Sequence, residues 1–206
     1  MPNALPSPFP FPERRLVLAS RSPRRRTLLE ELGWDFQILP ADESAECGLC
    51  SRETPPEFVA RLARQKAANV ATKIEDGIVL ACDTVAVCHG HVLGKPADID
   101  DAHRMLNMLR GCIHQVFTGI CLWAVPEQVT DVAVEKTELM MDRISDAQLK
   151  AYLKTRLWEG KAGAFGYQDG WDWLKIQSGS ESNVVGLPIE RLQQMLADLR
   201  YSLSKS

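Results

Sequence analysis

Several things are scarce in this chain of 206 residues, and each scarcity excludes a class of function. No apolar run approaches the ~18 residues of a membrane-spanning helix, so no membrane partner is expected. Positive charge is not in excess: 24 Lys and Arg face 27 Asp and Glu, a formal charge of −3. That balance carries no long-range field for nucleic acid, which is not expected as a partner either. Any anion must therefore be caught by a local cluster of cations. Neither GxxxxGK(S/T) nor GxGxxG occurs, which excludes the commonest nucleotide-binding loops.

Cysteine is sparse. Cys82, Cys88, Cys112 and Cys121 sit singly in strand-like runs, where cysteine serves as a small apolar residue, so no disulfide framework is expected. Cys47 and Cys50 have the spacing of half a zinc site, with Cys88, His89 and His91 the nearest further ligands; two free thiols are the expectation. Residues 1–14 are proline-rich and lack the apolar core of a signal peptide. A disordered extension over 1–14, one domain over 15–200, a short tail over 201–206 and cytoplasmic residence are expected. A hydrophobic share of 45% suits one ordinary globular core.

Periodicity predicts an α/β fold. Strands are expected at 16–19, 34–39, 78–87, 92–93, 116–125, 132–141 and 173–176. Helices are expected at 23–32, 55–74, 100–109, 145–155 and 188–199, with an irregular stretch at 41–54 and a glycine-rich loop at 160–170.

Against this pattern, certain charges stand where they cost energy. Three arginines, Arg24, Arg25 and Arg26, crowd a helix N-terminus behind Ser22 and Pro23, a placement unfavourable by up to about 1 kcal/mol per charge unless an anion offsets it. At 100° per residue Arg25 falls among Leu28, Leu29 and Leu32, Arg24 lies at that stripe's edge, and Arg26 points away to solvent. Lys66 lands in the apolar face formed by Phe58, Val59, Leu62 and Val70, which implies either a polar cleft or a structural ion pair. Asp83 interrupts an apolar strand, where a carboxylate must be paired, metal-bound or shifted in pKa; such groups make general bases. Lys95 follows at the end of the next hairpin, where a solvated loop charge is the plainer reading. A nucleoside triphosphate, with about four negative charges, needs several cations and usually a divalent metal.

These segments, in order, resemble the Maf family of nucleotide pyrophosphatases. The landmarks are LASRSPRRRTLLEELG, the Asp42-Glu43 pair, PPEFVARLARQKA, LACDTVAV, LGKP, HQVFTG, KAGAFGYQ and NVVGLP, spread from Leu16 to about Leu199. The resemblance implies a Maf/ITPase-like mixed sheet with flanking helices, in two lobes around a central cleft, often as a homodimer. It implies hydrolysis of a nucleoside triphosphate to the monophosphate and pyrophosphate, with a divalent metal: Mg2+, or alternatively Mn2+ or Co2+. Asp83 matches the acidic catalytic position. Ser20, Arg24, Arg25, Lys66 and Lys95 match phosphate-contacting positions, and Glu43 joins Asp83 near the metal. Thr84 after Asp83, together with Arg24 and Gln168, matches the form of the family acting on dTTP and UTP; modified nucleotides remain open as substrates. The glutamine amide suits both a carbonyl and an N–H of a uracil or thymine edge. The same resemblance permits a non-catalytic nucleotide-binding regulator of cell division and septum formation.

The chain departs from the family in having Asp169 between Gln168 and Gly170, followed by Trp171 and Trp173, where extra bulk beside the base is expected to alter its choice. His114, set among apolar residues, is expected to be a hydrogen-bonded structural histidine.

Overall fold

The computed structural model describes residues 9–45, 50 and 52–205. Seven strands form one mixed sheet in the order β2-β1-β3-β5-β6-β7, with β4 pairing only with β3. The strands are β1 (Leu16–Leu18), β2 (Phe36–Ile38), β3 (Gly77–Cys88), β4 (His91–Leu93), β5 (Ile113–Val125), β6 (Val129–Met141) and β7 (Leu174–Ser178). The helices are α1 (Pro23–Glu31), α2 (Pro55–Ala71), α3 (Ile99–Leu109), α4 (Asp146–Lys154), α5 (Glu181–Val185) and α6 (Ile189–Leu203). No helix among the described residues is long and apolar enough to cross a membrane.

Alternation along the strands sorts the core. Val17, Val79, Ala81 and Cys121 face α2, whose Ala63, Ala67 and Val70 are small enough to lie close to the sheet. On the other face Leu16, Leu18, Ile78, Leu80, Ile120 and Leu122 pack with Leu29 of α1 and with Leu192, Met195 and Leu196 of α6. A second core gathers Ala86, Val116 and Leu139 from the far ends of the long strands around α3, α4 and Phe165. The long strands β3, β5 and β6 thus carry two lobes, as expected.

One interruption positions everything that follows. Strand β1 pairs with β3 only as far as Leu80, and β4 joins the same edge of β3 only from Ala86 onward. The intervening edge of β3 has no strand beside it. Asp83 and Thr84, in that gap, are the two residues of the strand that are not buried. The gap lies beyond the C-terminal ends of two parallel strands, β1 and β2, where open α/β sheets place their ligand crevices.

Gly119 sets the depth of this gap. It sits opposite Asp83 in the β3–β5 register, and a Cβ there would fall 2.2 Å from the carbonyl oxygen of Val59 in α2. Only glycine lets the helix lie this close, and the closeness brings Lys66 of α2 within reach of Asp83.

Three expectations need correction. Residues 9–14 are not a loose extension: Phe11 is buried, Phe9 packs on Trp34, and Arg14 forms a salt bridge with Glu127. Phe9 and Phe11, two residues apart, bring their ring centroids to 5.8 Å from each other. The tail does not begin at 201, because α6 continues through Leu203, which packs against the core. Finally, the short α5, absent from the expectation, ends at Gly186; with five residues it shows too little periodicity to be read. The Cys47 half of the zinc question lies outside the described residues, and Cys50 is exposed.

Candidate active site

A hollow of about 370 Å3 opens at the gap in the sheet edge. Ser20 lines it from the turn between β1 and α1, and Arg24 and Arg25 from the first turn of α1. Asp83 and Thr84 of β3 and Lys66 of α2 come from beneath, while Lys95 and Gln168 come from the opposite lobe. Six helices, strands and loops thus bring together eight of the nine site residues expected from the sequence. The ninth, Glu43, is not brought there. It occupies a 3-10 turn (Glu43–Ala45), its side chain 88% exposed and 3.4 Å from Arg21. The stretch just before it supplies lining residues, Pro40 and Ala41, but the carboxylate points to solvent.

The arginines divide as helical geometry predicts. Arg26 is exposed and pairs with Glu30 one turn on. Arg25 turns inward and is fixed at three points: Nε donates to the Gly186 carbonyl oxygen at 2.7 Å, and the two terminal nitrogens donate to Ser20 Oγ and Thr84 Oγ1, each at 3.0 Å. Arg24 reaches across the hollow and donates to the Gly160 carbonyl oxygen at 3.2 Å. Burial, and then the like charge of Arg25, push its guanidinium below the ordinary arginine value, a cost that an anion in the hollow would reverse. Ser22 is the N-cap residue of α1, but its hydroxyl makes no cap bond and no acidic residue occupies the first turn. The positive end of the helix therefore has no acidic residue of its own first turn set against it.

Lys66 is 7% exposed and donates from Nζ to Asp83 Oδ1 at 2.7 Å. The two readings of this lysine meet here, since the ion pair exists and stands in the wall of the hollow. Asp83 Oδ2 has no hydrogen bond from the described residues. Thr84, directed to the opposite face of β3, shares a 3.0 Å hydrogen bond with Thr118.

The opposite wall holds a second lysine–aspartate pair that sequence reasoning missed. Lys161, 9% exposed, binds Asp169, whose Oδ2 also accepts from Tyr152 at 2.8 Å and from the Gly166 N–H at 3.1 Å. Burial and this carboxylate together push the Tyr152 phenol far above its ordinary value. Gly166 is required by the arrangement, since a Cβ would meet both Lys161 Nζ and Asp169 Oδ1 at 2.6 Å. Asp169 thus folds the glycine-rich loop around itself and holds Lys161 at the hollow. In the sequence the pair lies in a stretch with no periodicity, so nothing marks either residue as buried. Trp171 and Trp173, expected beside the base, instead pack with Tyr152 away from the hollow.

Six cationic side chains line the hollow against three carboxylates. Fold and site together define a two-lobed α/β protein whose cleft is arranged for a polyanion. The family model for Maf-like proteins matches residues 15–199, and the chain belongs to the Maf family. It is 55% identical over 197 residues to the dTTP/UTP pyrophosphatase of Rhodopirellula baltica, covering 95% of this chain and 86% of that one. It is 42% identical over 193 residues to the dTTP/UTP pyrophosphatase of Pelotomaculum thermopropionicum, covering 92% and 99%. Among solved structures, a nucleoside-triphosphatase / dITP/XTP pyrophosphatase from Mycobacterium abscessus aligns over 92% of this chain and 98% of its own, at 12% identity and a TM-score of 0.40.

Proposed function

We propose that this protein hydrolyses nucleoside triphosphates, dTTP and UTP by preference, to the monophosphate and pyrophosphate. The observation that carries the reading is the Lys66–Asp83 pair standing in a hollow lined by Arg24, Arg25 and Lys95. The names of the relatives support the substrate and the bond.

In this reading the triphosphate lies over the open N-terminus of α1. Arg24 and Arg25 take phosphate oxygens in forked hydrogen bonds, and Lys95 and Lys161 close on the chain from the other lobe. Arg24 exchanges the Gly160 carbonyl for a stronger, charged acceptor. Asp83 Oδ2, without a donor among the described residues, accepts a proton from water as that water's oxygen attacks the α-phosphorus. The bond from the α-phosphorus to its bridging oxygen breaks, and its electrons leave with pyrophosphate. Lys66 at Oδ1 pairs with the half-buried Asp83 and holds Oδ2 toward the water. Cations around the leaving phosphates offset the charge that develops there.

A divalent metal fits this donor set, because Mg2+ is usually held by one or two carboxylates together with substrate phosphates. Asp83 would hold it with phosphate oxygens, and Glu43 is not placed to share it. When bound, the metal would add charge neutralisation to the phosphate chain. We further propose a homodimer, as the family resemblance implies, and residence in the cytoplasm; sedimentation equilibrium checks the assembly.

The test is Asp83→Asn, which keeps the size of the side chain and removes the base. Turnover of UTP is expected to fall by about 10²–10⁴-fold while UTP still binds. Unchanged turnover would remove Asp83 from the step. Tight binding with no turnover in the unmodified protein would leave a nucleotide-binding role alone.

A further inference from the structure

The hollow is not cationic throughout. Toward the second lobe its lining turns apolar, with Leu109, Val116, Leu139, Met141 and Phe165, and one hydrogen-bonding side chain stands among them: His114 of β5. Deep apolar recesses with a single polar group are where ligands are told apart, because that group goes unpaired when the wrong ligand enters.

His114 is 4% exposed, with Leu139 opposite it in the β5–β6 register. Its one hydrogen bond among the described residues is from Nδ1 to the carbonyl oxygen of Cys112, at 3.4 Å. A carbonyl oxygen only accepts, so the ring proton sits on Nδ1. That leaves a lone pair on Nε2, which has no partner among the described residues and is not sealed off from the hollow. Burial holds the imidazole below its ordinary pKa and so keeps it neutral near pH 7.

We infer that His114 selects the base, its Nε2 accepting a hydrogen bond from N3–H of uracil or thymine. Cytosine presents a lone pair at N3, so the two acceptors would face each other. To bind it, the imidazole must give up its Nδ1 proton and with it the bond to Cys112. Of the apolar neighbours, Val116 and Phe165 keep some open surface and lie beside the ring. Gln168, exposed at the mouth of the hollow, then lies outside the recess that reads N3. This inference rests on the triphosphatase reading above and adds to it the group that distinguishes one pyrimidine from another.

The experiment compares kcat/KM for UTP, CTP and 3-deazauridine triphosphate, whose C3–H takes the place of the N3 donor, with pyrophosphate release as the readout. Wild-type protein is expected to prefer UTP over both by about tenfold or more. In His114→Leu that preference collapses, and in His114→Gln, whose amide oxygen restores an acceptor, most of it returns. If wild-type protein releases no pyrophosphate from any of the three, the triphosphatase reading fails. If it does so but does not distinguish UTP from 3-deazauridine triphosphate, or if His114→Leu keeps the full preference, the triphosphatase reading stands and His114 is not the selector. The wild-type comparison decides the matter even if the leucine variant does not fold.

Discussion

Single residues carry the site through charges whose surroundings penalise them. Lys161 and Asp169 show the energetic side most clearly, since both side chains are about nine-tenths buried. Removing one partner of such a pair leaves an uncompensated charge, which typically costs about 3–5 kcal/mol. Asp169→Ala is therefore expected to lower urea-unfolding stability by an amount in that range. A double replacement, Asp169→Leu with Lys161→Met, is expected to recover much of the loss. Equal stability of wild type and Asp169→Ala would show that the pair does not hold the loop.

Single side chains are also what the sequence makes most legible. Helical spacing alone separated Arg25, which turns inward, from Arg26, which pairs with Glu30 at the surface. Lys66 and Asp83 stood out as charges in apolar stripes, but their pairing across 17 residues required the sheet to be assembled first. Glu43 was misplaced because a pattern match carries position along the chain and not the direction of a side chain on an irregular turn. Phe9 and Phe11 went unread because the surrounding prolines masked their alternation.

Among the elements, the close approach of α2 to β5 matters most. Gly119→Ala would set a methyl group against the Val59 carbonyl, so the helix must shift outward and carry Lys66 away from Asp83. Overpacking of this kind costs about 1–3 kcal/mol. The variant is expected to unfold at lower urea and to lose turnover out of proportion to its loss of stability; a stable variant with full kcat would contradict the proposed role of the Lys66 contact. No sequence pattern announces this glycine, because a β-strand tolerates one for several reasons and only the tertiary contact picks out the right one.

A second element-scale feature is the tie between the N-terminal segment and the β5–β6 hairpin. Hydrogen bonding to Arg14 holds the Glu127 carboxyl well below its ordinary value of 4.5, at about 2. A carboxylate with a depressed folded pKa adds stability that is fully present above its unfolded pKa and is lost as pH falls toward the folded one. The stability difference between wild type and Glu127→Gln is therefore expected to be constant above about pH 5 and to shrink between 4.5 and about 2. Urea titrations at several pH values check this; a difference that grows on acidification would have the wrong sign.

For the whole molecule, the decisive feature is that β1 and β4 leave a stretch of β3 uncovered between two lobes. Strand and helix periodicity revealed the elements, and so the α/β class, but not the sheet order or the interruption. Those depend on which edges meet, which no local pattern encodes. Because both lobes contribute cations, a polyphosphate should draw them together. In the proposed mechanism this cleft directs water to the α-phosphorus. That step is tested by a single turnover of UTP in 18O-labelled water with Mg2+, followed by mass spectrometry of the products. One labelled oxygen in UMP, with unlabelled pyrophosphate, is expected. Label in pyrophosphate, or release of orthophosphate instead, would contradict it.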